Sequence, residues 1–213
     1  MRDILFLHGF FRIDPEASPL LQAIRAHLPT TTIHAPAYHP NGEVKHTRIG
    51  ETLQVCHEII SRSSSKQMDV IGVSFGGLLA AIFAEAYPEL VRKLLLFAPA
   101  IDNFDRNYAG KPKESWIMPQ VFVDELCTYP ARPAITRPTT LVHGSLDNDD
   151  GGCAFWRIER WAREQSFEKI HLLDGVDHEL EPWLSQQRCD AAPLGEGASA
   201  SQVVTLGELL RAS

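Results

Sequence analysis

The pentapeptide Gly72-Val73-Ser74-Phe75-Gly76 sets one serine between two glycines. A serine hydroxyl is a weak nucleophile until a base removes its proton, and that base must itself be oriented. Five residues make a short pattern, so the flanks decide its meaning. Asp69 to Val73 reads as a strand, and Leu78 to Tyr87 as a helix that is apolar nearly all round and therefore buried. A tight strand-to-helix turn lifts a side chain clear of the sheet. Side chains at 72 and 76 would collide with neighbouring backbone in such a turn, which accounts for both glycines. The turn also puts the Phe75 N–H at a helix N-terminus, where negative charge is favoured. A phosphate-binding loop is the other glycine-rich option, but no Gly-Lys-Ser/Thr and no GxGxxG after a strand is present. The bland alternative is a glycine-rich turn with an inert serine.

A nucleophile on such a turn takes its partners downstream, acid first and histidine second. Of nine histidines, only His143, His171 and His178 follow Ser74. His143 ends a strand and His171 lies within one, between Ile170 and Leu172. His178 sits in the loop Asp174-Gly175-Val176-Asp177-His178, where catalytic groups are commonly carried. It is the expected base. The acid has several candidates in His143-Gly144-Ser145-Leu146-Asp147-Asn148-Asp149-Asp150. Asp147 has the best spacing from the strand end, while Asp149, Asp150 and the earlier Asp102 stay open as alternatives. Asp177, next to His178, is too constrained to orient its imidazole and reads as a turn residue.

Acyl chemistry needs two N–H groups for an oxyanion. Phe75 supplies one. The second is expected from the loop His8-Gly9-Phe10-Phe11, with Phe10 preferred and Phe11 its near neighbour. His8 reads as structural, bonding loop backbone. Phe10, Phe11, Phe75 and the aromatics between 101 and 130 are expected to form an apolar acyl pocket, with Phe11, Phe104, Trp116 and Met118 as its candidate lining. The alternative is that several of them complete the core.

The elements that must position these groups alternate between strand and helix. Strands are expected at Ile4–Leu7, Thr31–His34, Asp69–Val73, Leu94–Phe97, Thr139–His143 and Lys169–Leu173. Helices are expected from Ser18-Pro19 to Leu28, over Thr47–Ser61, Leu78–Tyr87 and Phe155–Phe167, and at Val203–Leu210. This alternation predicts an α/β fold with a mostly parallel six-stranded sheet and helices on both faces, in the order 2-1-3-4-5-6 if the second strand lies outside the first and the third on its other side. The switch point then falls between the first and third strands, where open sheets bind ligands. Phe10 and Ser74 both lie there. Residues 101–137 hold aromatics among prolines and charges and are too long for a plain crossover, so they read as a small cap. Residues 190–202, rich in Ala, Gly and Ser, read as a loop or partly disordered segment. The 213 residues suit a single domain.

Composition removes several classes. The formal charge is −7, with no Lys/Arg run, which argues against nucleic acid and anionic membrane as partners. The four cysteines, Cys56, Cys127, Cys153 and Cys189, form no CxxC motif and read as free thiols in a reducing compartment. Ile4–Leu7 is too short for a signal sequence or membrane span, so a cytoplasmic protein is expected.

Leu7-His8-Gly9-Phe10, Gly72-Val73-Ser74-Phe75-Gly76-Gly77, His143-Gly144-Ser145-Leu146-Asp147 and Gly175-Val176-Asp177-His178 together resemble the α/β-hydrolase superfamily, in its chain order. Ala98-Pro99-Ala100 and the immediate start at the first strand are similar to small bacterial serine esterases of the YqiA type. The resemblance implies Ser74 as nucleophile, Asp147 as acid, His178 as base, and Phe10 with Phe75 as oxyanion donors. Asn148 to Gly152 departs from the Val-Pro-like stretch of many relatives. The expected activity is carboxylesterase-type cleavage of a small-molecule ester or thioester, with no cofactor and no metal. Amidase or lactonase action uses the same triad. A cofactor-free lyase, a perhydrolase or a non-turnover small-molecule receptor are the other readings.

Overall fold

Leu5, Phe6 and Leu7 are wholly buried, because β1 (Ile4–Leu7) lies inside a parallel sheet covered on both faces. The structure is a computed structural model that describes residues 3–10, 12–43, 46–101, 120–147, 154–187 and 204–211. Six strands follow in the order β2-β1-β3-β4-β5-β6, every neighbouring pair parallel. They are β1, β2 (Ile33–His34), β3 (Met68–Val73), β4 (Val91–Phe97), β5 (Thr139–Gly144) and β6 (Lys169–Leu173). Both the α/β class and the strand order agree with the sequence expectation.

One face carries α2 (Ile49–Arg62), α3 (Phe75–Ala86), α4 (Gln120–Leu126) and α5 (Phe155–Glu164). The other carries α1 (Pro19–His27), α6 (Glu181–Gln187) and α7 (Leu206–Arg211). Helix α1 starts as expected: Ser18 Oγ accepts from Leu21 N at 3.4 Å, and Pro19 takes the first helical position. Helix α3 buries every residue from Phe75 to Ala84 and starts at Phe75, directly after Ser74.

The departures have local causes. Strand β2 keeps only Ile33 and His34, paired with Ile4 and Leu5. It lies at the sheet edge, and Pro36 just beyond has no N–H for the ladder. Strand β4 starts at Val91, three residues before the apolar run at Leu94. Arg92 and Lys93 hid this start, but both pair with the buried Asp69, Arg92 Nε donating to Oδ1 at 2.6 Å and Lys93 Nζ lying 3.3 Å from Oδ2. Helix α6 went unread because seven residues carry too little periodicity, though Trp183 and Leu184 are buried. Within 101–137, residues 120–126 form α4. Positions 102–119 of the expected cap and the segment 190–202, expected to be a loop or partly disordered, lie outside the described residues.

Candidate active site

Ser74 joins β3 to α3 with φ 54° and ψ −122°, a conformation that β-carbon-bearing residues avoid. Holding it costs about 1–3 kcal/mol and requires surroundings that over-determine the backbone. They do. Ser74 N donates to Phe97 O at 2.9 Å, and the Ser74 carbonyl accepts from Gly77 N at 2.9 Å, Leu78 N at 3.2 Å and Ala100 N at 3.0 Å. The end of β1 presses on the turn from the other side. A Cβ on Gly76 would overlap the carbonyls of Leu7 and His8, and one on Gly72 would overlap the Gly76 carbonyl. The collisions expected from the sequence are therefore specific, and they lock the turn onto the sheet.

Two loops bring the partners. The strand-end segments after β5 and β6 are bonded together: Ser145 N donates to Leu173 O at 2.9 Å, Leu146 N to Val176 O at 2.9 Å, and Gly175 N to Ser145 Oγ at 2.9 Å. In consequence Asp147 and His178 meet. His178 Nδ1 lies 2.7 Å from Asp147 Oδ2, and His178 Nε2 lies 2.8 Å from Ser74 Oγ. Asp147 is buried, while the His178 side chain keeps 30% exposure. A carboxylate accepts only, so Nδ1 carries the proton facing Asp147, and Nε2 is left with the lone pair facing the hydroxyl. His143 is also buried beside Asp147, its Nε2 3.6 Å from the same Oδ2, too long for a hydrogen bond. His171 stays in β6, away from this chain of contacts.

The loop after β1 borders Ser74, since a Cβ on Gly9 would lie 3.7 Å from Ser74 Cβ. Arg12 N donates to Gly9 O at 3.1 Å and closes a turn with Phe10 at one corner. Phe75 opens α3, and the first amides of a helix have no acceptor within it. Both segments that sequence singled out for oxyanion donors therefore flank the serine.

Three of the aromatic side chains pack together. Phe10 and Phe75 meet edge to face at 5.0 Å, and Phe122 of α4 packs 5.0 Å from Phe10 and 5.6 Å from Phe75. All three are buried and belong to one core cluster, which fits the alternative reading that several of these aromatics complete the core. Phe11, Phe104, Trp116, Met118, Asp102, Asp149 and Asp150 lie outside the described residues, as do Cys153 and Cys189. Cys56 is a buried free thiol, pushed up to about 12 by burial, and Cys127 is free and exposed.

His8 bonds loop backbone as the sequence led one to expect, whereas its partner Tyr38 and the neighbouring His39–Thr47 pair were not legible there. His8 stacks on Tyr38 at 3.9 Å with rings 3° apart, the Tyr38 hydroxyl donates to the His8 carbonyl, and His8 Nδ1 bonds the Gly9 carbonyl at 2.8 Å. Burial lowers the His8 pKa to about 4, so the ring is neutral. His39 Nδ1 meets Thr47 Oγ1 at 2.6 Å, and burial lowers its pKa as well. No periodicity connects residues 8, 38 and 47; only the fold does.

A family model described as an uncharacterised protein family, UPF0227, matches residues 3–143, about two thirds of the chain. The chain belongs to this family. The matched part of this UPF0227 protein includes Ser74 and ends before Asp147 and His178. A poly(3-hydroxyalkanoate) depolymerase of Ectopseudomonas oleovorans is 50% identical over 52 residues, which cover 24% of this chain and only 18% of that protein. Among solved structures, Est1E of Butyrivibrio proteoclasticus with ferulic acid bound superposes with a TM-score of 0.71 at 15% identity, over 88% of this chain and 87% of the other. Mouse alpha/beta hydrolase domain-containing protein 10 gives 0.64 at 17%, over 86% and 87%. The monoacylglycerol lipase of Paleococcus ferrophilus gives 0.63 at 14%, over 88% and 91%. At these identities the likeness shows the fold, and the UPF0227 chain has the α/β-hydrolase fold. Among the described residues, no helix is long and apolar enough to cross a membrane, and no cluster of three or more His, Cys, Asp or Glu could hold a metal ion.

Proposed function

We propose that this UPF0227 protein is a serine carboxylic-ester hydrolase, with Ser74 as nucleophile, His178 as general base and acid, and Asp147 as the group that orients His178. The observation that carries the reading is the continuous relay from Asp147 Oδ2 through both nitrogens of His178 to Ser74 Oγ, at 2.7 and 2.8 Å. The serine end of that relay sits on a strained backbone that a merely structural serine does not need.

The chemistry follows from the protonation states. Ser74 Oγ bonds to the acyl carbon as His178 Nε2 takes its proton, and the carbonyl electron pair moves onto oxygen. The Phe10 and Phe75 N–H groups donate to that oxyanion, each worth about 3 kcal/mol in comparable sites. Collapse breaks the bond to the alcohol or thiol, which leaves with the proton from His178. Water then attacks the acyl-Ser74 ester with His178 again as base, releasing the carboxylic acid and restoring the serine. Buried Asp147 stabilises the imidazolium formed in both halves.

Small to medium acyl esters or thioesters are the proposed substrates. The poly(3-hydroxyalkanoate) depolymerase that matches over 52 residues adds oligomeric 3-hydroxyalkanoate esters to the panel. The test is fluorophosphonate labelling with peptide mapping, together with turnover of p-nitrophenyl esters of increasing chain length. Label on Ser74, and turnover abolished by Ser74→Ala, is the expected result. Unchanged turnover in Ser74→Ala refutes the reading. A burst without steady turnover places the protein among small-molecule receptors instead.

A further inference from the structure

Helix α2 starts without a cap of its own. Its N-cap residue is Arg48, whose side chain makes no capping bond, and the Thr47 hydroxyl is engaged by His39. The first amides of a 14-residue helix still need acceptors. They find them 75 and 76 residues away: Glu125 Oε2 accepts from Ile49 N at 3.0 Å and Oε1 from Gly50 N at 2.8 Å. A carboxylate at a helix N-terminus gains from both the charged hydrogen bonds and the helix dipole.

Glu125 belongs to α4, one turn beyond Phe122, so both project from one face of that helix. While Glu125 is tied to α2, Phe122 is pressed into the junction of Phe10 and Phe75, with ring centroids 5.0 and 5.6 Å away. Those are the two residues whose backbone N–H groups are the proposed oxyanion donors. The inference rests on the hydrolase reading: we infer that Glu125 is a positioning residue, tethering α4 to α2 so that Phe122 sets the spacing of the Phe10 and Phe75 backbones beside Ser74. It touches no substrate. Its effect belongs to the transition state, because the oxyanion forms only after attack.

A loss of helix stability alone would mimic this effect, so the test separates the two. Arg48 has extended backbone, φ −127° and ψ 125°, suited to a local serine cap. The double variant Glu125→Ala with Arg48→Ser therefore restores a cap to α2 without restoring the tether. With p-nitrophenyl acetate, and kcat normalised to serine titrated by a fluorophosphonate, the double variant is expected to lose about tenfold in kcat with KM within about twofold, since small misplacements of catalytic donors cost one to two decades. Glu125→Gln keeps one acceptor oxygen and is expected to retain more kcat than Glu125→Ala. Wild-type kcat in the double variant overturns the tether, as does a rise in KM with kcat intact. Loss of folding in both Glu125→Ala and the double variant makes Glu125 a stability residue and also overturns it. Failure of the hydrolase reading is seen separately, as Ser74→Ala retaining full turnover.

Discussion

Gly144, the last residue of β5, lies directly against the carbonyl of Val176 in the loop that carries His178; a Cβ at 144 would overlap that oxygen and crowd the Asp177 carbonyl. Both obstructing groups are backbone and cannot swing aside. Two strand ends thereby approach closely enough for Leu146 N to reach Val176 O at 2.9 Å, and for Asp147 to reach His178. Gly144→Ala is expected to destabilise the fold by about 1–3 kcal/mol through overpacking. It should also lower kcat by at least about tenfold in protein that remains folded, because the imidazole moves with its loop. Urea unfolding and kcat per titrated serine measure the two effects.

Asp147→Asn tests the acid. A carboxamide can present its N–H to His178 and select the wrong tautomer, leaving Nε2 without its lone pair toward Ser74. In a serine protease the corresponding change costs about 10⁴ in kcat. A loss of that order is expected here, with Asp149→Asn, Asp150→Asn and Asp102→Asn each staying near wild type. If one of those three carries the loss instead, the assignment of Asp147 is wrong.

The neutral His8 makes stability depend on pH. Its folded pKa, about 4, lies below the ordinary 6.5, so the unfolded chain binds a proton that the folded chain refuses. Its contribution is complete above pH 6.5 and is lost as pH falls toward 4. The gap corresponds to about 3 kcal/mol when fully expressed. His39, also lowered by burial, acts in the same direction. Unfolding free energy measured from pH 7 to pH 4 should fall, and His8→Gln should flatten that fall. An unaltered slope in His8→Gln would show that this ring is not its source.

Asp69 supplies a control far from the chemistry. It lies at the opposite end of β3, five residues or about 16 Å of strand from Ser74. Asp69→Asn leaves Arg92 and the mostly covered Lys93 without their carboxylate. A loss of about 1–3 kcal/mol is expected, discounted for the partial exposure of Arg92. The kcat per titrated serine should not change. A fall in kcat at constant folded fraction would mean that the two ends of the sheet are coupled.

Local chemistry explains why so much was legible in one dimension. The apolar runs at Ile4–Leu7, Val70–Val73 and Leu94–Phe97 suit a covered parallel sheet, and the order 2-1-3-4-5-6 follows once the second strand is set outside the first and the third on its other side. The turn at Ser74 is equally local: a strand, two glycines that must let backbone through, and a helix too apolar to face water. Charged residues at the start of β4 obscured that strand because their partner, Asp69, is a cross-strand neighbour and not a sequence neighbour.

The chain alone thus determined the α/β sheet, the place of Ser74 on its strand-to-helix turn, and the downstream loops in which the candidate acid and histidine lie. Tertiary structure decided which atoms meet. Asp147, His178 and Ser74 join only because backbone at Gly144 and Gly76 is packed against other strand ends, and α2 is capped by Glu125 of a helix 75 positions on. Propensity and periodicity act over a few residues, whereas a hydrogen bond of 2.7 Å depends on how whole elements close on one another.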